Sequence, residues 1–119
     1  MWPPSESPDS AVGALALAVR RPESGHAVLE VAGEIDMATA PQLANALAEV
    51  LHQDDRAIVV DLSAVSFLGS SGLAALVYAH GALDPGTALL IVASRREVRR
   101  AFAVTGLDAR LPLYQSDQK

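Results

Sequence analysis

Apolar and polar positions change rhythm several times along the chain, and each change marks an element. Leu15, Leu17 and Val19 alternate with alanines, and a second strand-like stretch, Ala27 to Val31, follows the turn-like Arg20-Arg21-Pro22-Glu23-Ser24-Gly25. This pattern predicts an antiparallel hairpin, with Gly33 ending its second strand. The period then becomes helical. Leu43, Leu47, Val50 and Leu51 share one face, Pro41 suits a first turn, and Thr39 with Gln42 three residues on matches a capping box. Ile58-Val59-Val60-Asp61-Leu62 is a β-branched run of the kind buried on both faces of a parallel sheet. A second helix begins at Ser70 or Ser71, with Leu73, Leu76, Val77 and His80 on one stripe, and Asp84-Pro85-Gly86 turns the chain into the strand Leu89 to Val92. Ser94 with Glu97 matches a second capping box, Val98, Ala101 and Phe102 form the inner face of a third helix, and Gly106 is its stop. A short strand near Leu111 to Leu113 closes the series. The fold class is therefore α/β: a small mixed sheet of four to five strands, with an N-terminal antiparallel hairpin and about three helices joining parallel strands.

Composition narrows the function more than the fold. A length of 119 residues suits one domain, and 50% hydrophobic with 19% charged residues allows a real core. Residues 1–13 hold three of the seven prolines and read as a flexible leader, which leaves a single domain over 14–119. The net charge of −5 argues against direct nucleic-acid binding. With no cysteine, and with His26, His52 and His80 at no ligand spacing, no metal or other cofactor is expected. The first ten residues carry no Lys or Arg, so Ala11 to Val19 lacks the basic flank of a secretory signal. The uncharged run from Leu62 to Leu83 is 22 residues long, but Phe67-Leu68-Gly69-Ser70-Ser71-Gly72 breaks it, and no membrane insertion is expected. A cytoplasmic protein fits these features.

The informative segment is Asp61 to Leu73, which places two hydroxyls where a strand hands over to a helix. Unpaired N–H groups and the positive end of the helix dipole favour an anion there, including a covalently attached phosphoryl group. The plain alternative is a helix cap. With Ser70 as the cap turned inward, Ser71 points outward at the first helical position. An enzyme is not expected. A nucleophile elbow fails because Leu73 stands where its last glycine belongs, and no phosphate loop or dinucleotide fingerprint is present. His80 reads as a packed residue or partner contact rather than a base, so no catalytic residues are assigned.

Parallel strands ending near Gly33, Leu62 and Ala93 would bring the loops of Asp36, Ser71 and Ser94 to one edge. Asp36 either ties down its own loop or acts beside the serine. Ala74, Ala75, Tyr78 and Ala82 follow Ser71 at helical spacing, giving either a face open to a partner or a helix buried on both sides. The partner-binding residues expected are Asp36, Gly72, Ala75 and Tyr78. Arg95, Arg96, Arg99 and Arg100 are either a solvated helix face or a docking patch for an acidic partner.

These motifs resemble those of the sulfate transporter and anti-sigma factor antagonist (STAS) domain, in its stand-alone bacterial antagonist form. The likeness runs from about Leu15 to about Leu113. It rests on Val31-Ala32-Gly33-Glu34-Ile35-Asp36 with Thr39, Asp61-Leu62-Ser63 with Phe67, Ser70-Ser71-Gly72-Leu73, and Thr105-Gly106-Leu107. The resemblance implies that the serine before the glycine, Ser71, is phosphorylated by an anti-sigma factor of the serine kinase type. It also implies that the unphosphorylated form binds that anti-sigma factor and frees a sigma factor, a partner-switching role in transcription regulation. Gly69 stands where the family often has an acidic residue, and little chain remains after Leu113 for the family's usual closing helix. Two other classes stay open: a STAS subunit of a lipid or anion transport complex, and a nucleotide or small-ligand binder at the helix N-terminus.

Overall fold

The hairpin forms where the alternation predicts it. β1 (Ala16–Glu23) and β2 (His26–Ile35) pair antiparallel, with Leu17 opposite Val31 and Val19 opposite Leu29. A computed structural model describes residues 15–115, so the leader expected at 1–13 and residues 116–119 lie outside the described part. Gly33 does not end β2, which continues to Ile35. The chain goes on through α1 (Ala40–Leu51), β3 (Ala57–Leu68), α2 (Ser70–Gly81), β4 (Ala88–Val92), α3 (Arg96–Val104), a 3-10 turn (Leu107–Ala109) and β5 (Leu113–Tyr114).

The five strands lie side by side in chain order, and every pair after the hairpin is parallel. Each helix therefore crosses to the next strand in the same direction, and right-handed crossovers put all three on one face of the sheet. Burial follows this layering. Ala27, Leu29, Ile58, Val60, Leu62, Leu89 and Ile91 are buried, while Val28, Val59 and Leu90 between them are only half-buried. The expectation that 58–62 is buried on both faces is thereby corrected: helices cover one face, and among the described residues none covers the other. Phe102 of α3 and Leu43, Leu47 and Leu76 of α1 and α2 complete the core from the helix side.

β3 runs on past Leu62 to Leu68 because it carries extra residues. Glu30 pairs with Asp61 but Ala32 with Ala64, and Gly33 pairs with Val65 but Glu34 with Phe67, so the strand bulges twice. Its buried positions consequently fall at Val60, Leu62, Val65 and Leu68, a spacing that no simple alternation describes.

Neither expected capping box forms. Thr39 is the N-cap of α1, yet its side chain makes no capping bond. Its hydroxyl donates to the carbonyl of Glu34 at 2.7 Å and accepts from the amide of Asp36 at 2.9 Å. Gln42 Oε1 accepts instead from the amide of Leu15, 27 residues away. At α3 the N-cap is Arg95, which leaves Ser94 one residue before the cap. The stop at the far end of α3 is as expected: Gly106 follows the C-cap Thr105 in the left-handed region, with φ 76°.

Candidate functional site

β3 hands over to α2 within one residue. The amide of Gly69 donates to the carbonyl of Ile35 at 2.8 Å, which ties the start of α2 to the end of β2. Gly69, extended at φ −90° and ψ −179°, is the N-cap, and it offers no side chain to the helix. The expected cap at Ser70 is therefore corrected. Ser70 is the first helical residue, exposed and without a capping bond, and Ser71 is the second, half-buried. The roles shift because the strand persists to Leu68, so the helix can open only at Gly69. Capping thus gives no ground for choosing between the two hydroxyls, and what separates them is the surface each faces.

Ser71 faces a groove of about 500 Å³ between α1 and α2. α1 contributes Ala40, Pro41, Ala44 and Leu47, α2 contributes Ala74, Ala75 and Tyr78, and Met37 stands at the mouth. None of the lining residues is charged. Alanines on both helices keep the walls low, and two large side chains project from them, Met37 at 80% exposure and Tyr78 at 81%. Exposed apolar side chains around a shallow trough are what an interface core requires. Of the two arrangements left open for α2, the open face is the one observed.

The other expected partner residues divide. Ala75 and Tyr78 line the groove. Gly72 is buried, and a Cβ at that position would lie 2.5 Å from Ile35 Cγ2 and 2.6 Å from Leu68 Cδ1. Its bareness lets α2 rest directly on the ends of β2 and β3. Asp36 ties down its loop, its Oδ1 accepting from the amides of Ala38 at 2.9 Å and Thr39 at 3.1 Å. That tie holds Met37, the next residue, out at the mouth of the groove.

Two of the three expected loops meet, and the third does not. Ile35 pairs with Leu68, which sets the Asp36 loop beside the start of α2. Val92 pairs with Asp61, so β4 ends seven residues short of β3, on the order of 20 Å along the sheet. Ser94 thus leaves the sheet far behind Ser71. Met37 and the outer face of α1 were missed by sequence reasoning, although an exposed methionine beside a loop-tying aspartate is a usable signal. His80 is half-buried on α2. Among the described residues no group of three or more His, Cys, Asp or Glu could hold a metal, and no helix is long and apolar enough to cross a membrane.

A mixed sheet with helices on one face, and a hydroxyl at the end of an uncharged groove between two of them, define a small α/β binding domain. The chain belongs to the STAS domain family, whose model matches residues 18–119, and it groups there with the anti-sigma factor antagonists, a non-enzymatic class. It is 39% identical over 93 residues to the anti-sigma-F factor antagonist RsfB of Mycobacterium tuberculosis, covering 78% of this chain and 76% of that one. It is 30% identical over 94 residues to the anti-sigma-B factor antagonist of Listeria monocytogenes, covering 78% and 82%. The crystal structure of an anti-sigma factor antagonist from Mycobacterium paratuberculosis superposes with a TM-score of 0.80 at 42% identity, covering 91% of this chain and 88% of that one.

Proposed function

We propose that this protein is a phosphorylation-controlled binding module that sequesters an anti-sigma factor in the cytoplasm and so frees a sigma factor. The observation that carries this is the placement of the Ser71 hydroxyl at the end of an uncharged groove rimmed by Met37 and Tyr78. In the unphosphorylated state the groove meets the anti-sigma factor through apolar contact alone.

The anti-sigma factor, of the serine kinase type, transfers the terminal phosphoryl group of a nucleoside triphosphate to Ser71 Oγ; the hydroxyl proton is lost and the diphosphate leaves. Phosphate brings about −1.5 to −2 charges to the groove's edge. Two effects then oppose each other. Within the free domain, the positive end of α2 and the amides of Ser70 and Ser71, which have no helical partner, accommodate the charge. In the complex the same charge must be buried against apolar surface, and docking weakens.

Capture from native lysate identifies the anti-sigma factor, and phosphopeptide mapping locates the modification on Ser71. Calorimetry then compares that partner's affinity for wild type and Ser71→Asp. The expected result is loss of binding with folding unchanged. Modification confined to Ser70, or equal affinity of both proteins, defeats the proposal.

A further inference from the structure

Five of the nine Lys and Arg residues, Arg95, Arg96, Arg99, Arg100 and Arg110, fall between the start of α3 and the turn after it, with only Glu97 and Asp108 as carboxylates there. In a chain of net charge −5 this concentration is local. The ion pairs among the described residues are Arg20–Glu30, Arg21–Asp55 and His26–Glu23, so none of the five arginines has a carboxylate at ion-pair distance. Among the described residues Arg20 and Arg21 have carboxylate partners, whereas this cluster of five has none.

Their arrangement is ordered. Arg96, Arg99, Arg100 and Ala103 recur at helical spacing on one side of α3, while Val98 and Phe102 are buried on the other. With Asp108, Leu113 and Gln115 they line a recess of about 730 Å³, in which three guanidinium groups face the single carboxylate of Asp108. Arg99 is half-buried, and its Nη1 donates to the carbonyl of Ala93 at 2.9 Å, which anchors that guanidinium at the end of β4. Arg96 and Arg100 are exposed. The far wall is β5, a two-residue strand at the edge of the sheet. The recess shares no lining residue with the α1–α2 groove.

We infer that this face docks an acidic, extended segment of a partner protein, its carboxylates on Arg96 and Arg100 and its backbone along β5. Guanidinium forks take carboxylates in bidentate fashion, and an open strand edge accepts an extended chain. A long polyanion is a poor occupant. Past the arginine cluster its further charges run over the surface of a chain of net charge −5, whereas a short segment meets the arginines alone. The inference does not depend on Ser71.

The test titrates the full chain with a fluorescein-labelled peptide alternating glutamate and threonine, by fluorescence polarisation. Its glutamine counterpart, a labelled oligothymidylate of similar length and phosphatidylglycerol vesicles serve as the other arms. The glutamate peptide is expected to bind, to lose about tenfold in affinity when salt rises from about 0.05 to about 0.5 M, and to lose as much or more on Arg96→Glu/Arg100→Glu. Arg96→Gln/Arg100→Gln should give a smaller loss, and circular dichroism checks that both variants fold. The glutamine peptide, the oligonucleotide and the vesicles are expected not to bind. No binding of the glutamate peptide, equal affinity for wild type and both variants, or oligonucleotide or vesicle binding with the same arginine dependence would overturn the inference.

Discussion

Gly72 offers a stringent test of how α2 is seated. A helical glycine replaced by alanine ordinarily gains up to about 1 kcal/mol from propensity. At this position the new methyl would stand 2.5 Å from Ile35 Cγ2 and 2.6 Å from Leu68 Cδ1. Carbon atoms pack at about 3.5–4.0 Å, so the overlap is about 1 Å against two side chains. Both belong to the core, Ile35 at 0% and Leu68 at 5% exposure, so neither can swing into solvent. Overpacking costs about 1–3 kcal/mol, and contacts this short against two core side chains belong in the upper part of that range, so after the helix gain a net loss of about 1–2 kcal/mol remains. For a domain of this size each kcal/mol lowers Tm by about 4–8 °C. Gly81→Ala is the control within the same helix, because nothing lies within 4 Å of its added Cβ; it should stabilise by a few tenths of a kcal/mol or more. Urea unfolding followed by far-UV circular dichroism reads both. Because Gly72 adjoins Ser71, its substitution should also weaken the anti-sigma partner, and Gly81→Ala should not. A Gly72→Ala midpoint equal to or above wild type, with an unchanged slope, would show that α2 does not rest on Ile35 and Leu68 as described.

Three further substitutions probe separate features. Tyr78→Arg, at an 81% exposed position, should leave the thermal midpoint near wild type and abolish partner binding in calorimetry; retained affinity removes Tyr78 from the docking surface. Gly69→Asp supplies the missing side-chain cap and should raise stability by a few tenths of a kcal/mol in urea titration, provided the half-exposed ring of Phe67, 3.2 Å from the new Cβ, gives way. A loss of stability instead would mean that the ring cannot yield. Thr39→Val keeps the shape but strips the hydroxyl that joins the Glu34 carbonyl to the Asp36 amide at a site 3% exposed, and should cost about 1–3 kcal/mol by the same measurement. No measurable loss would show that water replaces the hydroxyl there.

What the amino-acid order determines by itself is what depends on neighbours in the chain. Leu17 and Val19 facing Val31 and Leu29, the helical spacing of Leu43 and Leu47, and Gly106 as the stop of α3 follow from two periods and one backbone preference. They sufficed for the order of elements, the mixed sheet and the place where α2 begins to within one residue. Long-range pairing decided the rest. Two bulges set by the partner strand carried β3 to Leu68 and moved the cap from Ser70 to Gly69. A backbone amide 27 residues away took the side chain of Gln42, and the carbonyl of Glu34 took that of Thr39, so neither was left for a capping box. The register of β4 against Asp61 separated Ser94 from Ser71. The groove was illegible for the same reason: half of it belongs to α1, and the residues that bring α1 beside α2 are the buried ones beneath both helices. Local rules propose partners for a side chain, but a folded chain offers closer ones from elsewhere in the sequence, and packing chooses among them.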